Sequence, residues 1–221
     1  MLKEKVNKLK KYIENKNLDF YFSFTISIIV AIFNLFLTIF SYSSYFLMYT
    51  IFYFLLVIFR IVISKYNKKY KNNNKSIKYL YLLTALSILL LISPMISAFI
   101  STFNFRETYH YVFYWIPYVY GLFSLVKLVN TIEFIYKERK SKDVYKICIK
   151  HLTVLSTLYT LQMLEFALIR LNEELLDTNI YYFELYTQGL IFLICIVAII
   201  HLIILFFTTN KKKQKNQRNN K

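Results

Sequence analysis

Six stretches of about 20 or more mostly apolar residues, each set off from the next by a short polar segment, leave this chain few ways to fold. They are residues 20–41, 45–64, 79–102, 109–129 with a polar extension to 136, 147–169 and 183–207. A helix rises about 1.5 Å per residue, so about 20 apolar residues carry it across the hydrocarbon core of a bilayer. Residues of the AVILMFWYC set fill 57% of the 221 positions, and a soluble domain of this size could not bury them without leaving large apolar patches in water. The expected fold is all-α: a polytopic transmembrane helical bundle of six helices forming one domain over residues 20–209. A basic segment (1–19) precedes it and a disordered basic tail (210–221) follows.

The lysines give the bundle a direction. Residues 1–19, 65–78, 137–150 and 210–221 each hold six Lys or Arg, together 24 of the 28 basic residues, and they fall on alternate connections. Short loops rich in Lys and Arg stay on the cytoplasmic side, so both termini are expected in the cytoplasm. The opposite loops hold Arg106 and the boundary residue Arg170, and the last of them, LNEELLDTNIYYFE, is acidic. A formal charge of +16 raises the question of nucleic acid, but basic clusters between apolar runs suit an anionic leaflet and leave no room for a reader domain. The lipid bilayer is the expected partner, and nucleic acid is not. The first apolar run follows basic residues as a secretion signal does, yet it exceeds the roughly 7–15 residues of a signal core and reads as a retained anchor. Tyr42, Tyr45, Tyr109, Tyr111, Tyr114, Trp115, Tyr181, Tyr182 and Tyr186 are placed to form an outer aromatic belt, with Tyr79, Tyr81 and Tyr136 on the inner side.

Between lipid-facing helices there is no hydrophobic drive, so association depends on small residues and on polar groups that bond across helices. The first span carries Ser23, Ser27, Ala31, Asn34, Thr38 and Ser41, a stripe narrower than a quarter-turn at about 100° per residue. Two uses are open to it: packing within the bundle, or docking to a membrane protein partner or a second copy of the chain. The third span has a similar face of Ser87, Pro94, Ala98 and Ser101, and Pro94 is expected to bend it. The fourth has Pro117 with Gly121 one turn on. The fifth sets Thr153, Ser156, Thr157 and Thr160 on one side and His151, Gln162 and Glu165 roughly opposite, which places it centrally, with neighbours on both sides.

Ionisable groups inside a membrane are candidates for function because they are costly there, about 3 kcal/mol at the centre. Arg60 and Lys127 lie within about a turn of the cytoplasmic ends of their apolar runs and are expected to snorkel outwards. Glu133 and Lys137 are four apart and can pair. Glu165 is the preferred candidate for proton or ion handling, with Gln162, His151 and His201 as possible members of a polar path. The alternative for Glu165 is an interhelical hydrogen bond. Cys148 and Cys195 sit inside apolar runs and make no disulfide framework. There is no HExxH zinc site, Gly-framed serine elbow, Walker loop or paired-cysteine metal site, so no catalytic residue, cofactor site or metal site is expected, and the chain does not read as an enzyme.

The segment 118–165, YVYGLFSLVKLVNTIEFIYKERKSKDVYKICIKHLTVLSTLYTLQMLE, resembles a group of uncharacterised six-helix membrane proteins of Firmicutes and related bacteria. The matching features are Lys127, Asn130, the basic turn 137–140, Ser156, Leu161 and Gln162; the turn lacks the proline often found there. The resemblance implies the six-helix topology and a multi-pass protein of the bacterial cytoplasmic membrane, and it implies no activity. Two roles are therefore carried forward. One is a non-catalytic membrane subunit, scaffold or sensor acting through helix contacts at the first span. The other is a small secondary transporter or the substrate-binding membrane subunit of a transporter.

Overall fold

A computed structural model describes residues 18–41, 44–71, 73–104, 115–139, 141, 143–171 and 178–218. Six long helices account for nearly all of them: α1 Leu18–Ser41, α2 Ser44–Tyr70, α3 Tyr79–Asn104, α4 Ile116–Lys137, α5 Val144–Leu171 and α6 Thr178–Arg218. A single helical turn, Asn74–Ile77, lies between α2 and α3. No strand occurs among the described residues. Each long helix contains a segment long and apolar enough to cross a bilayer, and the chain is a multi-pass membrane protein. The expected N-terminal segment 1–17 lies outside the described residues. At the other end α6 runs on to Arg218, through a tail expected to be disordered; its Lys, Gln and Arg residues are good helix formers, and an established helix propagates easily.

Local chemistry explains the boundaries. Asp143 starts α5, its Oδ1 accepting the Tyr145 backbone N–H at 2.9 Å, the hydrogen bond of an N-cap. Lys146 Nζ holds Glu138 Oε1 at 2.6 Å across the α4–α5 turn. Pro117 occupies the first turn of α4, where its missing N–H would have had no helical partner, so it starts the described helix rather than bending it. Pro94 lies inside α3, which continues through it. Between α2 and α3, Tyr66 OH donates to the Ser76 carbonyl at 3.1 Å.

The bundle is organised around α5, which packs against each of the other five helices, most extensively α4. Of the membrane-spanning segments its own is the most enclosed, 61% buried, whereas that of α6 is 17% buried. It meets α2 along an aromatic seam, where Tyr45, Tyr49, Phe52, Leu56, Arg60 and Ile63 recur every three or four residues and are all buried. The Tyr45 and Phe166 rings stack at 3.7 Å and the Tyr49 and Tyr159 rings at 4.4 Å. Away from the seam, Ile32, Ile39 and Phe40 of α1 and Leu193, Val197 and Ile204 of α6 are exposed, an apolar exterior suited to acyl chains.

The aromatic residues divide in a way that abundance alone did not reveal. Trp115, Tyr186, Tyr79 and Tyr136 are exposed as a belt requires, while Tyr45 and Tyr81 are buried and belong to the core. Tyr42, Tyr109, Tyr111 and Tyr114, and the side chains of Tyr181 and Tyr182, lie outside what is described.

Candidate functional site

The interior of the bundle is polar along α5. Thr153, Ser156, Thr157 and Thr160 are all buried, and three and four residues apart they form one continuous row. Thr157 Oγ1 donates to the Thr153 carbonyl at 3.0 Å and Thr160 Oγ1 to the Ser156 carbonyl at 2.7 Å. Such bonds one turn back satisfy hydroxyls without a water molecule and leave oxygen lone pairs for neighbouring helices. From α4, Thr131 Oγ1 meets Thr157 Oγ1 at 2.6 Å and Ser124 Oγ donates to the Thr160 carbonyl at 3.1 Å. From α2, Tyr53 OH lies 2.6 Å from Thr160 Oγ1 and 3.2 Å from the Ser156 carbonyl.

Two cations occupy this row. Arg60 is 0% and Lys127 3% exposed. Arg60 Nη1 donates to Ser27 Oγ of α1 at 3.2 Å and Nη2 to Thr153 Oγ1 at 3.4 Å. Lys127 Nζ donates to Ser156 Oγ at 3.1 Å and stands 4.2 Å from the centroid of the Tyr53 ring, a cation–π distance. Both were expected to snorkel to the interface; both instead turn inwards. On α2 and α4 they lie on the buried face, Arg60 in register with Leu56 and Ile63, Lys127 with Tyr120, Ser124, Thr131 and Phe134. A side chain on that face meets protein whatever its distance from the helix end.

Among the described residues no carboxylate lies within ion-pair distance of either cation: Glu133 holds Lys137 at 2.7 Å and Glu138 holds Lys146. Thr153 and Ser156, which receive the two cations, are one turn apart, about 5–6 Å between Cβ atoms. Two unit charges received by hydroxyls one turn apart repel by on the order of 2 kcal/mol at an effective dielectric constant of about 20. Hydroxyl oxygens offset part of that cost, because charge-assisted hydrogen bonds are worth about 1.5–3 kcal/mol each. They carry no negative charge to cancel it. Four buried polar atoms also have no hydrogen-bond partner among the described residues: Arg60 Nε, Tyr159 OH, and Nε2 and Oε1 of Gln162. Groups of this kind are uncommon in a protein interior, where buried polar atoms ordinarily meet protein or ordered water.

The residues singled out from sequence fall into separate places. Glu165 is half-buried and accepts a 2.8 Å hydrogen bond from Thr187 Oγ1 of α6. His151 Nε2 and His201 Nδ1 face each other at 3.2 Å, also between α5 and α6. Fourteen residues of α5 separate His151 from Glu165, about 21 Å at 1.5 Å per residue, so the pair and the carboxylate are two local contacts. Gln162 is buried. Among the described residues no group of three or more His, Cys, Asp or Glu converges as metal ligands would. Glu133 and Lys137 pair as their spacing implied.

The stripe on α1 faces inwards. Ser23, Ser27, Ala31 and Asn34 are buried, with Thr38 and Ser41 half-buried. Ser27, Thr38 and Ser41 each donate to the carbonyl four residues back at 2.6–2.8 Å, and Asn34 Oδ1 accepts from Tyr120 OH of α4 at 2.9 Å. Ser27 and Asn34 of the stripe also bond to other helices of the chain, to Arg60 and Tyr120 respectively, while Thr38 and Ser41 are half-buried.

Comparison with protein-family models, with curated proteins and with solved structures finds no match to this chain.

Proposed function

We propose that this chain is a ligand-binding membrane protein, the substrate-binding membrane subunit of a transporter or a small transporter in its own right, set in a bacterial cytoplasmic membrane with both termini and the basic connections on the cytoplasmic side. The observation that carries this reading is the hydroxyl-lined interior of α5 with buried polar atoms left over at Arg60, Tyr159 and Gln162. The hydroxyl row alone would serve to join helices, but buried polar atoms without a partner add only desolvation cost to a bundle that does no more than hold a shape. A bundle that receives a polar solute needs them, because the solute must find in the protein the hydrogen bonds it gives up in water. The position of the row also fits: Arg60 lies four residues, about 6 Å of helix rise, inside the cytoplasmic end of its apolar run at residue 64.

The role is binding and passage rather than catalysis. Native mass spectrometry of the full chain, released gently from its own membrane, tests the reading. A retained small molecule is the expected result. A chain that is consistently bare, or that carries only other protein subunits, refutes it in favour of a scaffold or sensor.

A further inference from the structure

We infer that the ligand of this interior is an oxyanion, a phosphate or carboxylate group, held between Arg60 and Lys127. The inference rests on the ligand-binding reading and adds the charge of what is bound. Of the five N–H donors a guanidinium carries, two are used, and of the three on the ammonium, one. Arg60 Nε, fully buried, has no acceptor. The hydroxyl oxygens of Thr157 and Thr160, which donate to backbone carbonyls, are met by the hydroxyls of Thr131 and Tyr53 and carry no negative charge to set against the two cations.

The site therefore has surplus donors and two positive charges, with no carboxylate within ion-pair distance among the described residues. A cation would be repelled. A neutral solute would leave both charges uncompensated. An oxyanion supplies acceptors and negative charge together, and the planar fork of arginine fits a phosphate or carboxylate edge. Lysine adds a compact charge from the opposite helix. Arg60 comes from α2 and Lys127 from α4, while their present acceptors, Thr153 and Ser156, both lie on α5. The anion would thus add an ionic bridge between two helices that already meet where Lys127 stands over the Tyr53 ring.

The same chemistry can arrive as free phosphate from the cytoplasm or as the headgroup of an anionic phospholipid, and one experiment separates them. The full chain is placed in phosphatidylcholine nanodiscs, and thermal unfolding is followed by circular dichroism in inorganic phosphate and in chloride of equal ionic strength. A rise of about 4 °C in phosphate is expected, the shift given to a chain of this size by a ligand at about ten times its Kd. If the headgroup is the source, the rise appears in nanodiscs containing phosphatidylglycerol, and added phosphate extends it no further. Lys127→Met should abolish either rise and Lys127→Arg should keep it; these two variants distinguish loss of charge from loss of fold. No shift from phosphate or phosphatidylglycerol in the native chain overturns the inference, as does a full shift in Lys127→Met, which would place the anion on the exterior lysines. A neutral or cationic molecule found by native mass spectrometry, without an anion shift, sinks the oxyanion and leaves ligand binding standing. A bare protein with no shift sinks both.

Discussion

Replacing Lys127 by Met should make the ligand-free protein more stable, although it deletes a buried hydrogen bond. The ammonium, enclosed by protein rather than free to reach the interface, costs about 3 kcal/mol in lost hydration and a further 2 kcal/mol or so by repulsion from Arg60 across the Thr153–Ser156 turn. Against this stand one charge-assisted hydrogen bond to Ser156 Oγ at 3.1 Å, about 2 kcal/mol, and the contact with the Tyr53 ring at 4.2 Å, about 2 kcal/mol in a desolvated setting. The balance favours removal by about 1 kcal/mol. Methionine keeps most of the lysine stem and adapts to irregular space, and the released Ser156 hydroxyl can turn to the carbonyl one turn back, as Thr157 and Thr160 already do. Equilibrium unfolding in mixed dodecyl maltoside and dodecyl sulfate, with phosphate and anionic lipid excluded, measures the difference. A variant less stable than the native chain by more than about 1 kcal/mol, well outside the balance struck above, would show the ammonium to be a net stabilising part of the bundle and would refute the premise of an uncompensated charge.

Three further outcomes follow from the same packing. Tyr53→Phe removes the hydroxyl shared with Thr160 and the Ser156 carbonyl but keeps the ring beneath Lys127; it should cost about 1–2 kcal/mol in the same unfolding assay, and a neutral result would mean that this hydroxyl does not join α2 to α5. Ala31→Leu inserts a large side chain where Ala31 is buried, so it should destabilise the isolated chain by about 1–3 kcal/mol; full stability combined with loss of a crosslinked complex would instead return the α1 stripe to an external partner. Gln214→Cys in the basic tail should resist a membrane-impermeant maleimide in intact cells and react once the membrane is opened, because short lysine-rich segments remain in the cytoplasm; labelling of intact cells would reverse the orientation.

The spans were legible because length and apolarity are properties of a segment and survive any rearrangement of its neighbours. The α1 stripe was legible for the same reason: Ser27, Ala31 and Asn34 share a face whatever they touch, although the sequence left open what that face meets. The central position of α5 followed from polar residues on opposite sides, and α5 does touch every other helix. Arg60 and Lys127 were misjudged because distance from the end of an apolar run measures depth only, whereas the direction of the side chain around the helix decides between lipid, water and protein. A signal for Lys127 was present: it lies on the line of Ser124 and Thr131, small polar residues at packing spacing on α4. Glu165 drew attention as a carboxylate about one turn inside the outer end of its span, and it lies beside Thr187 at the α5–α6 boundary. Which residues of two distant helices converge depends on the register between helices, and no single helix encodes that.

The placement of α5 has a consequence of its own. The acceptors Thr153 and Ser156 both belong to α5, so a chain ending before Val144 would keep only Ser27 of α1 for Arg60 and no hydroxyl of α5 for Lys127. The flexible stems of both side chains would then let their heads reach the interface. Such a shortened bundle should turn outwards the two charges that the whole chain encloses.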